Sequence, residues 1–305
     1  MADDSAPHAA PPALSHDRDP GDAWVVSSTG ERFWGRFGAA GLLAIDPSRG
    51  VLLQHRAHWS HHGGTWGIPG GALHQGESAH DAALREAGEE AGVPRDVVRP
   101  RAVRVLDRGV WRYTTVIADV EHQFDPFPGD AESLELRWVP VQDVDTLDLH
   151  PAFANAWGGL RALLDTRPAI VVDVLTPRTA TGERASSDSI AGAETVLAQL
   201  DRVAAHGVSA HALGLDGARW YPHVDAVVGR ADADAAVRGD RHAGAVTLVA
   251  AGGPPREAVL ERSRERIARG FTVVVVTDDS ALADESVRLG AASRGHDWLS
   301  RAASA

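Results

Sequence analysis

Three glutamates near residue 90 have the spacing of a metal-binding helix face. Glu86, Glu89 and Glu90 lie in a segment, residues 78–91, whose apolar pattern predicts a helix ended by Gly92. Residues three and four positions apart share one side of a helix, so the three carboxylates stack together. Like charges repel there unless a cation lies between them, and oxygen ligands suit Mg²⁺ or Mn²⁺. The alternative is a solvated acidic helix face.

The residues before this helix extend the predicted site. Arg85 is four positions before Glu89 and can tether part of the cluster, while Glu77 lies near the positive helix N-terminus. The preceding loop, GGTWGIPGG at 63–71, contains glycines that let a backbone approach a ligand closely. Loop and helix together predict a cradle for a metal and a pyrophosphate.

The stretch GALHQGESAHDAALREAGEEAGV, residues 71–93, resembles the Nudix box. The matching positions are Gly71, Glu77, Arg85, Glu86, Ala87, Glu89, Glu90, Gly92 and Val93. Ala87 is smaller than the branched residue usual at its position. The resemblance covers about residues 24–165 and implies an α/β fold in which a mixed sheet is sandwiched between helices, with the box as a loop-helix-loop.

The resemblance implies a metal-dependent pyrophosphohydrolase. A metal-activated water would attack a phosphoanhydride of a nucleoside triphosphate or a nucleoside diphosphate-linked compound. Mg²⁺ or Mn²⁺ would be bound by the carboxylates of Glu86, Glu89 and Glu90 and by the carbonyl of Gly70. Arg85 would orient these ligands.

Two roles are less defined by the resemblance. Glu77 would join Arg85 as an orienting partner of the metal ligands. The catalytic base is Glu89 or Glu90 as the first choice and Glu135, or its neighbour Glu132, as the second. For the last two, ordinary loop charge is an equal alternative.

Substrate-binding residues are expected beside the Gly-rich loop. Arg56, Trp66 and Gly71 are the predicted contacts, and Trp111 is a second aromatic ring able to stack on a base. Core packing is the favoured alternative for each tryptophan. His55 and Trp59 lie in the same region, and no motif selects among dinucleotide polyphosphates, ADP-ribose and oxidised nucleotides.

A histidine-rich loop, His58, His61 and His62, invites comparison with a zinc site. Because no acidic or cysteine partner is close in sequence, we expect a solvated loop.

The elements that must position the site follow from hydrophobic periodicity. Two apolar stretches around residues 46–50 predict a β-hairpin. Further predicted elements of the first half are strands at 103–106, 112–120 and 134–139 and a helix at 151–165.

The second half alternates strands and helices, which predicts a parallel, Rossmann-like α/β domain. We expect strands at 169–175, 210–215, 245–250 and 271–277 and helices at 188–206, 255–269 and 280–289. The predicted domains are a disordered tail at 1–22, a Nudix domain at 23–166 and the α/β domain at 167–305.

The second domain faintly resembles PIN-like (NYN) ribonucleases. The resemblance implies a weakened Mg²⁺ site of Asp173, Glu257 and Asp279 at one sheet edge, but Arg256 replaces an acid and Thr176 replaces an asparagine of those relatives. We therefore expect a degenerate domain used for structure, dimerisation or ligand sensing.

Composition restricts the remaining possibilities. The 305 residues carry a formal charge of -12, which disfavours a nucleic acid partner, and contain no cysteine, which excludes thiolate chemistry and disulfides. With no apolar membrane span and no secretion signal, we expect a cytoplasmic protein acting on a small nucleotide, with a homodimer left open. The rival hypotheses are a non-hydrolysing nucleotide sensor and a nuclease in the second half.

Overall fold

The computed structural model describes residues 19–174, 190–229 and 246–304. The chain divides into two compact units, one up to Ala162 and one from Leu163. Most of the predicted tail lies outside the described residues, and the predicted domain limits stay predictions. Among the described helices, none is long and apolar enough to cross a membrane.

The first unit is built on a mixed sheet. A separate antiparallel pair, β1 (Trp24–Val26) and β2 (Arg32–Trp34), precedes it. The strands of the sheet are β3 (Ala39–Asp46), β4 (Gly50–Arg56), β5 (Trp66–Gly67), β6 (Gly70–Ala72), β7 (Val98–Asp107), β8 (Arg112–Val120) and β9 (Ser133–Val139). They run in the order β7-β8-β3-β4-β5, with β6 also paired to β3 and β9 to β4. Only β3 and β8 pair in parallel within this set.

The helices of the first unit follow the sequence pattern closely. They are α1 (Ala79–Ala91) and α2 (Pro151–Leu164), with short 3-10 helices at Arg95–Val97 and Val141–Thr146. Strand β3 is buried along its whole length, because other strands flank it in the sheet and α1 packs across its face. The core therefore lies directly beneath the helix that carries the three glutamates.

The second unit contains a five-stranded parallel sheet. Its described strands are β10 (Pro168–Asp173), β11 (Val208–Ser209), β12 (Arg219–Trp220), β13 (His223–Val228), β14 (Val246–Ala250), β15 (Thr272–Val276) and β16 (Ala292–Arg294). The parallel sheet has the order β14-β13-β10-β15-β16, while β11 and β12 pair antiparallel. This arrangement confirms the predicted parallel α/β class.

Helices alternate with these strands. They are α3 (Ile190–His206), α4 (Ala210–Leu213), α5 (Pro255–Ala268), α6 (Ser280–Arg288) and α7 (His296–Ala302). Three of the predicted helices, at 188–206, 255–269 and 280–289, match α3, α5 and α6 over the described residues.

Some local predictions were wrong. The strand predicted at 210–215 is the short helix α4, which Ser209 caps by accepting a hydrogen bond from the amide of Ala212 and which Gly214 ends in a left-handed conformation. The loop predicted at 63–71 contains the short strands β5 and β6. The pattern also missed β13, an interior strand of the second sheet.

Candidate active site

Helix α1 has defined ends and one apolar face. Ser78 accepts a hydrogen bond from the amide of Asp81, and Gly92 ends the helix with φ of 65°. The face against the sheet is made of small side chains, which are Ala82, Ala83, Ala87 and Ala91. Because helical residues three and four apart share a face, the apolar face fixes where the glutamates point.

Arg85 joins several carboxylates of the cluster. Its guanidinium donates to both oxygens of Glu77 at 2.9 Å, to Glu86 Oε1 at 2.8 Å and to Glu89 Oε2 at 3.3 Å. A fifth hydrogen bond, of 3.0 Å, goes to the carbonyl of Ala72 on β6. The arginine therefore tethers part of the carboxylate cluster and also anchors it to the Gly-rich segment.

Glu90 is the most deeply placed carboxylate of the cluster. Glu90 is only 4% exposed, and its Oε2 accepts a 2.8 Å hydrogen bond from the amide of Gly70. Burial first, and the neighbouring Glu86 second, raise the pKa of Glu90 to about 8. The fold thus brings Glu90 to the backbone of Gly70, and metal binding by these two residues stays a prediction.

Glu86 lies against a glycine that leaves room for it. A Cβ atom at Gly71 would be 2.6 Å from Glu86 Oε1 and 2.8 Å from Oε2, closer than such atoms approach. Burial raises the pKa of Glu86, although the Arg85 hydrogen bond acts in the other direction. Gly71 is therefore placed to accommodate a carboxylate, and its predicted substrate contact stays a prediction.

The donor set fits a hard divalent cation. Arg85 contacts the carboxylates of Glu77, Glu86 and Glu89, and Glu90 lies near Glu86, so negative charge is in excess. The hydrogen bond from Arg85 is the main cause of the lowered pKa of Glu77, whereas the pKa values of two others are raised. Oxygen ligands with uncompensated charge are what Mg²⁺ or Mn²⁺ binds.

The two candidates for a base on the later segment differ in environment. Glu135 is half-exposed and makes two hydrogen bonds, of 2.9 and 3.0 Å, with Arg137. Burial, then Asp130, raises the pKa of Glu132, whose charge also contributes to the raised pKa of Glu90. The position of Glu132 is therefore electrostatically coupled to the cluster, whereas Glu135 is held by an arginine.

The predicted substrate-binding residues lie in different surroundings. Trp66 is 7% exposed and stacks on His55, with ring centroids 4.7 Å apart and planes 8° apart, while Arg137 covers its ring at 4.7 Å. This placement agrees with the core-packing alternative. Arg56 lies at the end of β4, and its charge acts on Glu90 and Glu132 by lowering their pKa values.

Trp111 packs locally. It stacks on Phe33 with centroids 4.8 Å apart and donates from Nε1 to the carbonyl of Trp34 at 2.9 Å.

Sequence reasoning missed a buried polar pair behind α1. Ser133 donates to the carbonyl of Glu90 at 3.1 Å and accepts from Gln54 Nε2 at 2.8 Å, and both residues are buried. The available signal was a glutamine inside the otherwise apolar run VLLQ. This pair ties the end of the metal-ligand helix to β4 and β9.

A tyrosine was also missed. Gly41 leaves space for the hydroxyl of Tyr113, since a Cβ there would be 2.3 Å from that oxygen. Burial raises the pKa of Tyr113, and Glu90 adds to the effect.

Two of the three acids singled out in the second unit, Asp173 and Asp279, have structural partners. Asp173 is buried at the end of β10 and accepts a hydrogen bond from Thr277 at 3.1 Å. Asp279 caps α6 by accepting from the amides of Ala281 and Leu282. Glu257 lies in the first turn of α5, and Thr176 lies outside the described residues. A metal site there stays a prediction.

Comparisons with known proteins bear on the first unit. The model of the NUDIX domain family matches residues 35–158. A Mycobacterium tuberculosis protein named "Putative 8-oxo-dGTP diphosphatase 3" is 48% identical over 172 residues, which cover 53% of this chain and 77% of that protein. A Bifidobacterium longum nucleoside triphosphate pyrophosphatase/Nudix hydrolase fusion protein is 44% identical over 163 residues, 50% of this chain and 34% of that one.

A solved structure gives a similar match. The crystal structure of a Nudix hydrolase from M. smegmatis shares 48% identity, covers 47% of this chain and 95% of its own, and superposes with a TM-score of 0.44. The chain belongs to the Nudix family. As a Nudix hydrolase it acts on pyrophosphate bonds, in a family that uses divalent metal ions and small nucleotide substrates. The family model ends before the second unit, whose likeness to PIN-like domains stays a prediction.

Proposed function

We propose that the first unit hydrolyses a phosphoanhydride of a nucleoside triphosphate, with Mg²⁺ or Mn²⁺ held by Glu86, Glu89 and Glu90. The observation that carries the proposal is the excess of carboxylates on one side of α1, where Arg85 contacts Glu86 and Glu89 and where the pKa values of Glu86 and Glu90 are raised. A cluster with this charge is costly in a folded chain unless a cation joins it.

Glu86 and Glu90 act only as metal ligands in this proposal, whereas Glu89 has a second role as the base. Glu86 and Glu90 would hold the cation beside β6, because Gly71 leaves room for the Glu86 carboxylate and the amide of Gly70 donates to Glu90. Arg85 and Glu77 orient the ligands as partners behind them. The bound cation supplies neutralisation of phosphate charge and a lower pKa for the attacking water.

Glu89 is our choice for the base that takes the proton of the attacking water. Its side chain is 59% exposed and contacts Arg85 at 3.3 Å, so it can turn toward a substrate. Glu90 is fixed by the amide of Gly70, which suits a ligand better than a proton carrier. Glu132 is the second choice, because the fold couples it to the cluster.

For the substrate, we propose an oxidised purine nucleoside triphosphate. The support is the 48% identity to a relative that carries 8-oxo-dGTP in its name. Arg56 is the cation placed to meet a phosphate, because its charge reaches both Glu90 and Glu132. Its guanidinium would balance the terminal phosphates as the bond breaks.

A hydrolysis screen of the full chain tests the proposal. We would measure turnover of 8-oxo-dGTP, dGTP, ADP-ribose and dinucleotide polyphosphates with Mg²⁺ or Mn²⁺, comparing the parent with Glu89→Gln and Glu86→Gln. We expect preference for 8-oxo-dGTP and a loss of about 10²-fold or more in either variant. The exposed Glu121→Gln is the matched control and should match the parent.

Two outcomes would contradict it. Nucleotide binding without turnover would favour the non-hydrolysing sensor. Metal-dependent activity that survives Glu86→Gln but is lost in Asp173→Asn would assign the chemistry to the second unit.

A further inference from the structure

Three imidazoles converge on the first unit apart from the carboxylate cluster. His61, His62 and His150 each offer a ring nitrogen, and these nitrogens lie within 4.8 Å of one another. Ring centroids are 4.2 Å apart for His61 and His62 and 4.8 Å apart for His62 and His150. The spacing of the sequence does not place His150 near the histidine-rich loop, because 88 positions separate it from His62.

The loop that carries two of the histidines is held by side-chain hydrogen bonds to its carbonyl groups. The carbonyl of His62 accepts from Thr65 Oγ1 at 2.6 Å, and the carbonyl of His61 accepts from Arg56 Nε at 3.4 Å. His62 has φ of 54°, the one positive value at a non-glycine residue in the described part of the chain. Such a conformation costs about 1 kcal/mol or more, and strain of this kind concentrates at functional positions.

The third histidine is fixed by pairing with β5. The amide of Trp66 donates to the carbonyl of Asp148 at 2.8 Å, and the amide of His150 donates to the carbonyl of Trp66 at 2.8 Å. The ring of His150 is therefore brought to the loop by main-chain hydrogen bonds on both sides of Leu149. Separate backbone anchors on both segments are the arrangement that a preformed ligand site requires.

We propose that His61, His62 and His150 form a binding site for a transition metal ion of the Zn²⁺ class. Zinc binds imidazole nitrogen at about 2.0–2.1 Å, which places tetrahedral ligand nitrogens about 3.3 Å apart. Side-chain rotations that bring the nitrogens inward by about 1 Å complete this geometry. Three protein ligands leave the fourth position open to water or to a ligand atom.

The donor chemistry separates this site from the carboxylate cluster. Imidazole suits Zn²⁺, Co²⁺, Ni²⁺ and Cu²⁺, whereas carboxylates suit Mg²⁺ and Mn²⁺. His58 lies on the same loop but its ring faces His55, with centroids 6.4 Å apart, so it is outside the set. The same unit thus presents two metal sites of opposite preference.

A bound ion would cross-link two segments. It would tie the turn between β4 and β5 to the start of α2, and the turn bears the carbonyl that Arg56 contacts. We expect the ion to restrain that turn and to stabilise the unit, whether or not it takes part in hydrolysis.

Metal titration of the tag-free full chain tests the site. With Mg²⁺ in large excess to occupy the carboxylates, Co²⁺ is added and its visible absorption is recorded, and Zn²⁺ binding is measured by calorimetry. We expect one equivalent to bind, with the strong absorption of tetrahedral Co²⁺, and Zn²⁺ to raise Tm by several degrees.

Variants distinguish this site from others. His150→Ala and the exposed His61→Ala should each weaken Co²⁺ and Zn²⁺ binding by about 10-fold or more, while His58→Ala keeps the parent affinity. Unchanged binding in both of the first two variants, loss of binding in Glu86→Gln, or no binding by the parent would each overturn the proposal. Because these readouts involve no nucleotide, they are independent of the proposed hydrolysis.

Discussion

Two buried carboxylates, one in each unit, have opposite surroundings. Glu90 receives one amide hydrogen bond, from Gly70, and burial and Glu86 raise its pKa to about 8. Asp225 on β13 is fully buried, and its oxygens accept from Arg262 at 2.7 Å and from Arg266 at 2.7 and 2.8 Å. Burial alone would raise the pKa of Asp225, but the arginine hydrogen bonds outweigh it and the pKa is lowered.

The difference separates a structural acid from a functional one. The charge of Asp225 is balanced by Arg262 and Arg266, so removing the acid or its arginine partners leaves an unpaired buried charge. Glu90 belongs to a group with excess negative charge, and in our proposal a bound cation balances that charge. Substitutions should therefore affect stability at one acid and activity at the other.

The largest expected effect is on turnover. Glu90→Gln should lower kcat by about 10³-fold, equivalent to about 4 kcal/mol, because a neutral amide is a poor ligand for Mg²⁺. The metal-free variant should unfold at the same or higher urea concentration than the parent, since it buries no charge. Steady-state kinetics and urea unfolding measure the two effects. A Glu90→Gln variant that loses stability but keeps turnover would contradict the expected difference between Glu90 and Asp225.

Asp225→Asn should act in the reverse sense. We expect the second unit to lose about 3 kcal/mol of stability, because two arginines lose their charged partner in a buried place. Hydrolysis by the first unit should stay within twofold of the parent. Urea unfolding followed by circular dichroism measures the loss. Glu265→Gln, which removes an exposed partner of Arg262, is the control and should change stability by about 0.5 kcal/mol or less.

A third buried acid extends the comparison to pH. Burial would raise the pKa of Asp46, but hydrogen bonds from Ser48 and Arg49 outweigh it and lower the pKa to about 2 from its ordinary value of 3.8. Since the folded-state pKa is depressed, the stabilisation is present above pH 3.8 and is lost as pH falls toward 2.

Asp46→Asn should remove about 2 kcal/mol at pH 7 and less at pH 3. Unfolding experiments at both pH values measure this loss. An equal loss at the two pH values would show that the hydrogen bonds of Asp46 do not depend on its charge.

The smallest effect is expected at Glu135. Its carboxylate is half-exposed and paired with Arg137, so Glu135→Gln should leave kcat within about threefold and stability within about 0.5 kcal/mol. Steady-state kinetics beside Glu132→Gln measures the difference. If Glu135→Gln instead lowers kcat by about 10²-fold, Glu135 is the base and our preference for Glu89 is wrong.

The sequence predicted the parts of the site that are local. Helix α1 was foreseen with both ends, because Ser78 and Gly92 are capping residues and the alanine periodicity is clear. The contact of Arg85 with Glu89 followed from their positions four residues apart on that helix. The alternation of the second half likewise sufficed for its parallel sheet.

The sequence did not predict features that depend on distant partners. Strand β13 was missed because Asp225 interrupts its apolar run, and only Arg262 and Arg266, far along the chain, explain that charge. The short helix α4 was misread because a brief apolar run fits a strand as well as a helix. Ser133 and His150 were not singled out because the residues they lie beside are far from them in the sequence.

The alanine face of α1 affects the spacing between the helix and the sheet at the carboxylate site. A helix that rests on methyl groups lies nearer to its sheet than one that rests on leucine or isoleucine, so the apolar layer sets the gap between Glu90 and the amide of Gly70. Ala87, fully buried in this layer, acts as a spacer for that gap. We therefore expect one added methylene at Ala87 to change the affinity of the proposed metal site, although every charged residue stays as it is.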